Sequence, residues 1–418
     1  MRRCACGLPG GWCTTTGGPP PRRPMVVRPS TSSPRQPGRR RSVPEAAMRI
    51  GLFIPNLRAG GAERVACLLS EAWRRAGHDV VLVTFEAPRE RDFQPPDGVQ
   101  RLVLGGEHET RGWASVMKNL RRVRDIRRTL RAQRLDAAVS FLMETNVCLA
   151  LAGIGMRTVC VGSERTYPPA MPCGAVRETL RRHAYAALDC VVVASAGTAA
   201  WAHRATRARA VRVISNPMHW PLPRRDCDLT PARCLAPGHR LLLSVGRLDA
   251  VKQFDHLLRA FARLASDRPL WQLAIVGEGP ERVALEAQAR ALGLADRVLL
   301  PGLSADVAAW YAAADLYSLT SAAEGFPNAL LEALASGVPA VSYDCLTGPS
   351  DLVVPGLNGM LVPPNDEAAL TQALATLMDD AALRDRMRGA SRALREAHAP
   401  ERIGAQWLAA LQACGAPA

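Results

Sequence analysis

The sequence predicts an α/β protein made of two Rossmann-like halves that face each other across a cleft. Three observations carry that expectation. From Met48 onward, short apolar runs alternate with stretches of helical periodicity, the pattern of βαβ units around a parallel sheet. Ser215 to Pro223 holds three prolines in nine positions and breaks the alternation, as an interdomain linker does. Each half places a glycine turn directly after its first strand.

In chain order, the first half offers strands at Ile50–Ile54, Val80–Phe85, Arg101–Leu104, Ala137–Phe141, Thr158–Val161, Cys190–Ala194 and Val211–Ile214. The second offers Leu241–Val245, Leu273–Val276, Val298–Leu300, Leu316–Leu319, Ala340–Ser342 and Met360–Val362. The expected division is a tail at 1–47, domains at 48–220 and 221–395, and a terminal helix within 396–418. Ile403, Trp407, Leu408 and Leu411 lie at helical spacing in that last segment, so it is expected to cross back onto the first half.

Composition narrows the class. With 418 residues, 48% hydrophobic and 5% aromatic, the chain has material for real cores and is not disordered throughout. Its net charge of +15 is uneven: residues 1–47 carry +8, residues 48–220 carry +11 and residues 221–418 carry −4. The front half is therefore expected to meet something anionic, and charge alone does not choose among nucleic acid, anionic lipid and phosphorylated substrates. Lys118 and Lys252 are the sole lysines. No apolar run reaches the roughly 18 to 20 residues of a bilayer crossing. Residues 1–47, rich in Pro, Gly, Ser and Arg, read as a basic tail or an upstream start. Cys4, Cys6 and Cys13 lack a second pair of zinc ligands. The other cysteines, scattered singly through apolar segments, read as buried thiols in a reducing cytoplasm.

The strongest chemical constellation runs from Ser321 to Pro339. Pro327 suits a helix start, and Gly337 with Pro339 suits its stop, so a short helix is expected from Pro327 to Ser336. Its free first-turn amides open onto Glu324, Gly325 and Phe326, an arrangement that holds anions or sugar hydroxyls. Glu332 lies two turns from Glu324 on a side shared with Asn328 and Ser336, where a carboxylate can bind a diol. The plainer alternative makes Glu324 a helix cap and Glu332 a solvated residue.

A second constellation is Leu241 to Lys252, a strand ending at Gly246 with Arg247 and Lys252 just beyond. Two cations there are placed to neutralise a diphosphate leaving group. Otherwise they are surface residues paired to Asp249 and Asp255. In a third, Asn56 to Arg64 follows the first strand and opens a helix. Gly60 and Gly61 let backbone amides approach a ligand. That turn lacks the P-loop pattern, and Gly277-Glu278-Gly279 lacks the third glycine of a dinucleotide fingerprint, which weakens ATPase and NAD readings.

Together, Glu324-Gly-Phe-Pro-Asn-Ala-Leu-Leu-Glu332, the Gly246-Arg-Leu…Lys252 turn and the run Tyr343 to Gly359 resemble glycosyltransferase family 4, retaining enzymes of GT-B architecture. The last run is similar to a subgroup that extends bacterial polysaccharides and lipid-linked oligosaccharides. The resemblance covers Met48 to Cys414 and departs from the subgroup at Asp351, where glutamate is usual. It implies that Arg247 and Lys252 hold the donor pyrophosphate and Glu332 the ribose. Glu324 and the backbone of Gly325, Phe326, Pro327 and Asn328 would hold the transferred sugar, while Gly60 and Gly61 close over the phosphates. Arg247, Lys252 and Glu324 would act in catalysis. It also implies a nucleotide-diphosphate sugar, most commonly UDP, with no metal and no resident cofactor.

On the acceptor side, Arg111 to Arg134 carries nine basic residues with apolar residues at roughly helical spacing. It reads either as a helix resting on an anionic membrane face or as an ordinary helix with a solvated arginine face. Glu144 and Arg165 are acceptor-binding candidates, and each reads equally as a member of a buried ion pair. The alternatives are a nucleotide-sugar 2-epimerase on the same scaffold and a basic nucleic-acid-binding protein; the latter lacks interleaved aromatics and a reader module. The expected location is the cytoplasm, either free or at the inner face of the membrane.

Overall fold

The computed structural model describes residues 47–417 except Ala59, Arg91 and residues 106–112, with backbone alone at 113–116. The expected basic tail lies outside the described residues apart from Ala47.

The first lobe is built on a seven-stranded sheet of β1 (Arg49–Ile54), β2 (Asp79–Thr84), β3 (Gln100–Val103), β4 (Ala137–Phe141), β5 (Val159–Glu164), β6 (Cys190–Val193) and β7 (Val211–Val213), in the order 3-2-1-4-5-6-7. The second has six strands, β8 (Arg240–Val245), β9 (Trp271–Val276), β10 (Val298–Gly302), β11 (Leu316–Leu319), β12 (Ala340–Tyr343) and β13 (Gly359–Val362), in the order 10-9-8-11-12-13. Adjacent strands run parallel throughout both sheets. Strand order therefore reverses between β1 and β4 and again between β8 and β11. In doubly wound sheets a crevice opens outside the carboxyl ends of such strands, and ligands bind there.

Of the strands that outrun their sequence reading, β5 does so most. β5 ends at Glu164 rather than Val161, because its polar end is buried with partners. The Ser163 amide donates to Asn146 Oδ1 at 3.2 Å and the Ser163 hydroxyl to the Val192 carbonyl at 3.2 Å, while Tyr185 donates to Glu164. Satisfied groups of this kind bury at little cost, and apolar periodicity does not reveal them.

Two layers of helix cover the first sheet. α1 (Gly61–Arg75) buries Val65, Leu69 and Trp73 on one face; α2 (Trp113–Ala132) and α3 (Met143–Gly153) cover the other with Ile126, Leu130 and Leu149. The C-terminal helix Pro400–Ala413 crosses back to join α1, placing Ile403, Trp407 and Leu411 in the core of the first lobe. Trp407 meets Trp73 edge-on, with ring centroids 6.1 Å apart, a favoured aromatic geometry, and Trp73 Nε1 donates to the Gly404 carbonyl at 3.2 Å. Gly404 permits the close crossing: a Cβ there would lie 3.0 Å from that of Ala72.

The Gly277-Glu278-Gly279 turn has a packing purpose. A side chain at Gly277, whose φ is +154°, would strike the Gly246 carbonyl, and one at Gly279 would strike Leu248. The loops after β8 and β9 thus lie one upon the other. Cys148, Cys160, Cys190 and Cys345 are buried thiols, whereas Cys67, Cys173, Cys227, Cys234 and Cys414 are partly exposed. Burial pushes the Cys160 thiol up to about 12. No helix among the described residues is long and apolar enough to cross a membrane.

Candidate active site

The wall of the second lobe comes from the loops after β8 and β11. Asp249 caps a short turn by accepting from the Val251 amide at 3.2 Å, and Gln253 adopts a left-handed φ of 48°. Lys252 is thereby turned back across the neighbouring loop, which is tied to it by Thr320 Oγ1 donating to the Lys252 carbonyl at 2.9 Å. Lys252 Nζ lies 2.5 Å from Glu324 Oε1, which also accepts from Ser321 Oγ at 2.6 Å. Asp255 pairs instead with Arg259. Arg247 stands apart, its side chain 73% exposed and Asp249 at 3.9 Å.

Beyond Glu324 the chain enters the helix Asn328–Ala335, with Pro327 at its N-cap position. The helix is wrapped on every side: Leu330, Leu331, Ala333, Leu334 and Ala335 are buried, and Glu332 is only 8% exposed. Glu332 is not the solvated surface residue of the plainer reading. Desolvation raises its carboxyl above the usual range and Arg64 opposes that rise. Both glutamates stand near the buried Tyr317, whose phenol is pushed upward by burial and by their charges.

The first lobe supplies the facing wall. Arg64, in the first turns of α1, reaches Glu332 Oε1 at 2.5 Å. Gly61 sits against Asn328, so a Cβ there would lie 2.9 Å from its amide nitrogen, while Gly60 is covered by the side chain of Glu63. Gly325 packs on the Arg165–Thr166 backbone, where a side chain would strike the Arg165 carbonyl. From the linker, Asn216 donates to Asn328 Oδ1 at 2.8 Å and accepts from Arg165 Nη1 at 2.6 Å. Gly61, Arg64, Asn328 and Glu332, with Pro217 and Met218, enclose a cavity of about 10 Å³.

Arg165 is 9% exposed and lies over Phe141 at 4.3 Å and Trp407 at 5.4 Å. Its Nε and Nη2 have no hydrogen-bond partner among the described residues, and its guanidinium is buried against the first-lobe core and the linker rather than lining an open rim. Glu144 lies elsewhere, paired with Arg177 and, at 3.7 Å, with Arg122. Within α2, Arg127 caps α3 through the carbonyls of Ala152 and Ile154 at 2.8 and 2.7 Å. Met117 and Leu120 are exposed beside Arg121 and Arg124.

Lys252 and Glu324 therefore touch, Glu332 pairs with Arg64 of the first lobe, Gly61 and Gly325 sit at the seam, and Arg247 reaches none of these carboxylates. Sequence reasoning missed the partners Arg64 and Asn216. The one available hint was that Arg64 lies three residues after Gly61 and so one turn along the same helix face.

Two doubly wound lobes joined by a linker and a returning helix, with a charged site between switch points, define a GT-B glycosyltransferase. Residues 60–217 match the family model described as a glycosyl transferase 4-like domain and residues 234–394 the one described as glycosyl transferases group 1. The chain belongs to this glycosyltransferase family. It is 32% identical over 296 residues to an exopolysaccharide phosphotransferase of Streptomyces coelicolor; the match covers 71% of this chain but only 30% of that relative's length. It is 27% identical to a Campylobacter jejuni N-acetyl-D-galactosaminyltransferase named for a diphospho-undecaprenol-linked saccharide, over 80% of this chain and 89% of that one. Among solved structures, an Anabaena protein in complex with UDP superposes with a TM-score of 0.74 at 20% identity, covering 88% of this chain and 100% of the other.

Proposed function

We propose that the protein is a retaining glycosyltransferase that moves a hexose or N-acetylhexosamine from a nucleotide-diphosphate sugar, UDP-linked by preference, to a growing saccharide or lipid-linked oligosaccharide of the cell surface. The observation that carries this reading is the Lys252–Glu324 pair at 2.5 Å, set in the loops that follow β8 and β11 at the carboxyl end of the second sheet. Lys252 would meet the charge that grows on the diphosphate as its bond to the sugar breaks, with Arg247 swinging in from solvent as a second cation. Glu324 and the loop from Gly325 to Asn328 would orient the sugar, and Glu332 would take the ribose diol. Same-face substitution then needs little from the protein beyond position and positive charge, the departing phosphate oxygen accepting the acceptor's proton. No metal is assigned to the reaction.

A lipid-linked acceptor is supported by the name of the Campylobacter relative, which specifies a diphospho-undecaprenol-linked saccharide. Exposed Met117 and Leu120 beside the arginines of α2 support docking on the inner, anionic membrane face. The epimerase alternative gains nothing from the two matched families, both described as glycosyl transferases. A thermal-shift screen of nucleotide sugars, followed by turnover with and without acceptor, tests the reading. A transferase stabilised by one donor should release nucleotide slowly alone and fast with acceptor, keeping the donor's anomeric configuration by NMR. Rapid interconversion of the donor with no acceptor would instead favour the epimerase.

A further inference from the structure

We propose that Arg64 is a donor-binding residue supplied by the first lobe, held by Glu332 until the donor's ribose takes that carboxylate and its diphosphate takes the guanidinium. This rests on the nucleotide-sugar reading above. The pair spans the lobes, joining positions 268 apart at 2.5 Å. The space around it, about 10 Å³, has room for roughly one water. A ribose therefore cannot reach Glu332 while Arg64 stays, and the two compete for one carboxylate.

Charge decides what must happen next. Removing one partner of a largely buried ion pair is unfavourable because the other charge is left uncompensated. Glu332 is satisfied if hydroxyl groups replace Arg64, and Arg64 is satisfied if an anion replaces Glu332. A nucleoside diphosphate carries both replacements on one molecule; a nucleoside carries only the first. Arg64 can make the move, since its side chain is one-third exposed whereas that of Glu332 is 11% exposed. It also lies one helical turn beyond Gly60 and Gly61, on the face they present to the second lobe. Exchange of this kind makes the diphosphate, rather than the sugar alone, the condition for opening the ribose site.

The test compares matched ligands by calorimetry on wild type, Arg64→Gln and Arg64→Lys: uridine with UDP, guanosine with GDP, adenosine with ADP. For whichever base binds wild type, Arg64→Gln should weaken the diphosphate about tenfold, the value of one charge-assisted contact, and tighten the nucleoside because its competitor is gone. Arg64→Lys should recover part of the diphosphate affinity. Should Arg64→Gln fail to fold, the double variant with Glu332→Gln leaves no unpaired charge; it should lose diphosphate affinity while its nucleoside affinity does not improve. Ligands that shift together, or not at all, would overturn the exchange. A wild type that binds none of the three diphosphates would overturn the nucleotide-sugar reading itself.

Discussion

Two ion pairs of equal length, 2.5 Å, sit in the seam of this molecule and differ in what holds them. Lys252–Glu324 lies within the second lobe, its loops laced by the Thr320 hydroxyl and the Ala322 amide. Arg64–Glu332 crosses between lobes and lasts only while they stay together. The first is built into one fold; the second reports on the relation of two. A close carboxylate–cation contact is thus no measure of rigidity until the path of chain connecting the partners is known.

The largest expected effect comes from breaking the inner pair. On the proposed chemistry, Lys252→Ala lowers kcat/KM about 10²–10³-fold, the range for losing a preorganised transition-state charge, and it also lowers the melting temperature, because Glu324 is left without the partner of a largely buried pair. Arg247→Ala, removing a solvent-directed cation, should cost no more than about tenfold; equal losses would deny the inner pair its distinction. Trp407→Ala should cost the first lobe about 3–5 kcal/mol in denaturant unfolding, as truncating a fully buried tryptophan does. An undiminished midpoint would show the returning helix to be ornamental.

Gly325→Ala attacks the outer pair from the opposite side. Its new methyl would strike the Arg165 carbonyl, a clash worth about 1–3 kcal/mol, and should press the lobes apart. Small-angle scattering should report a larger radius of gyration while the inner pair survives. The smallest effect is in pH. Glu332 has its carboxyl raised above 4.5, so between that value and its folded one the native state binds more protons than the unfolded chain. Stability from this group therefore falls as pH rises through that window. Melting curves of Glu332→Gln against wild type should show the variant losing less over the interval; identical slopes would place the titration elsewhere.

Much of the fold was legible because most strands of the described residues announce themselves by short apolar runs. β5 was read short because its last residues are polar and satisfied by partners such as Tyr185 and Asn146. The site was half legible for a related reason. Lys252 and Glu324 lie in loops that follow recognisable strands, and each could be singled out before their contact was known. Glu332 shares a helix side with Asn328 and Ser336, a polar stripe that also suits solvent. Its burial depends on Arg64, which lies 268 positions away. Periodicity tells which way a residue faces on its own element and is silent about what arrives from another lobe.

The helix Pro400–Ala413 completes the core under the sheet that begins at Arg49. On the ribosome, where domains usually fold as they emerge, the first lobe must wait through synthesis of the second with Trp73 and Phe141 lacking the cover of Trp407. A fragment stopped at the linker would carry that bare aromatic surface permanently, making it a client for chaperones rather than a half-enzyme.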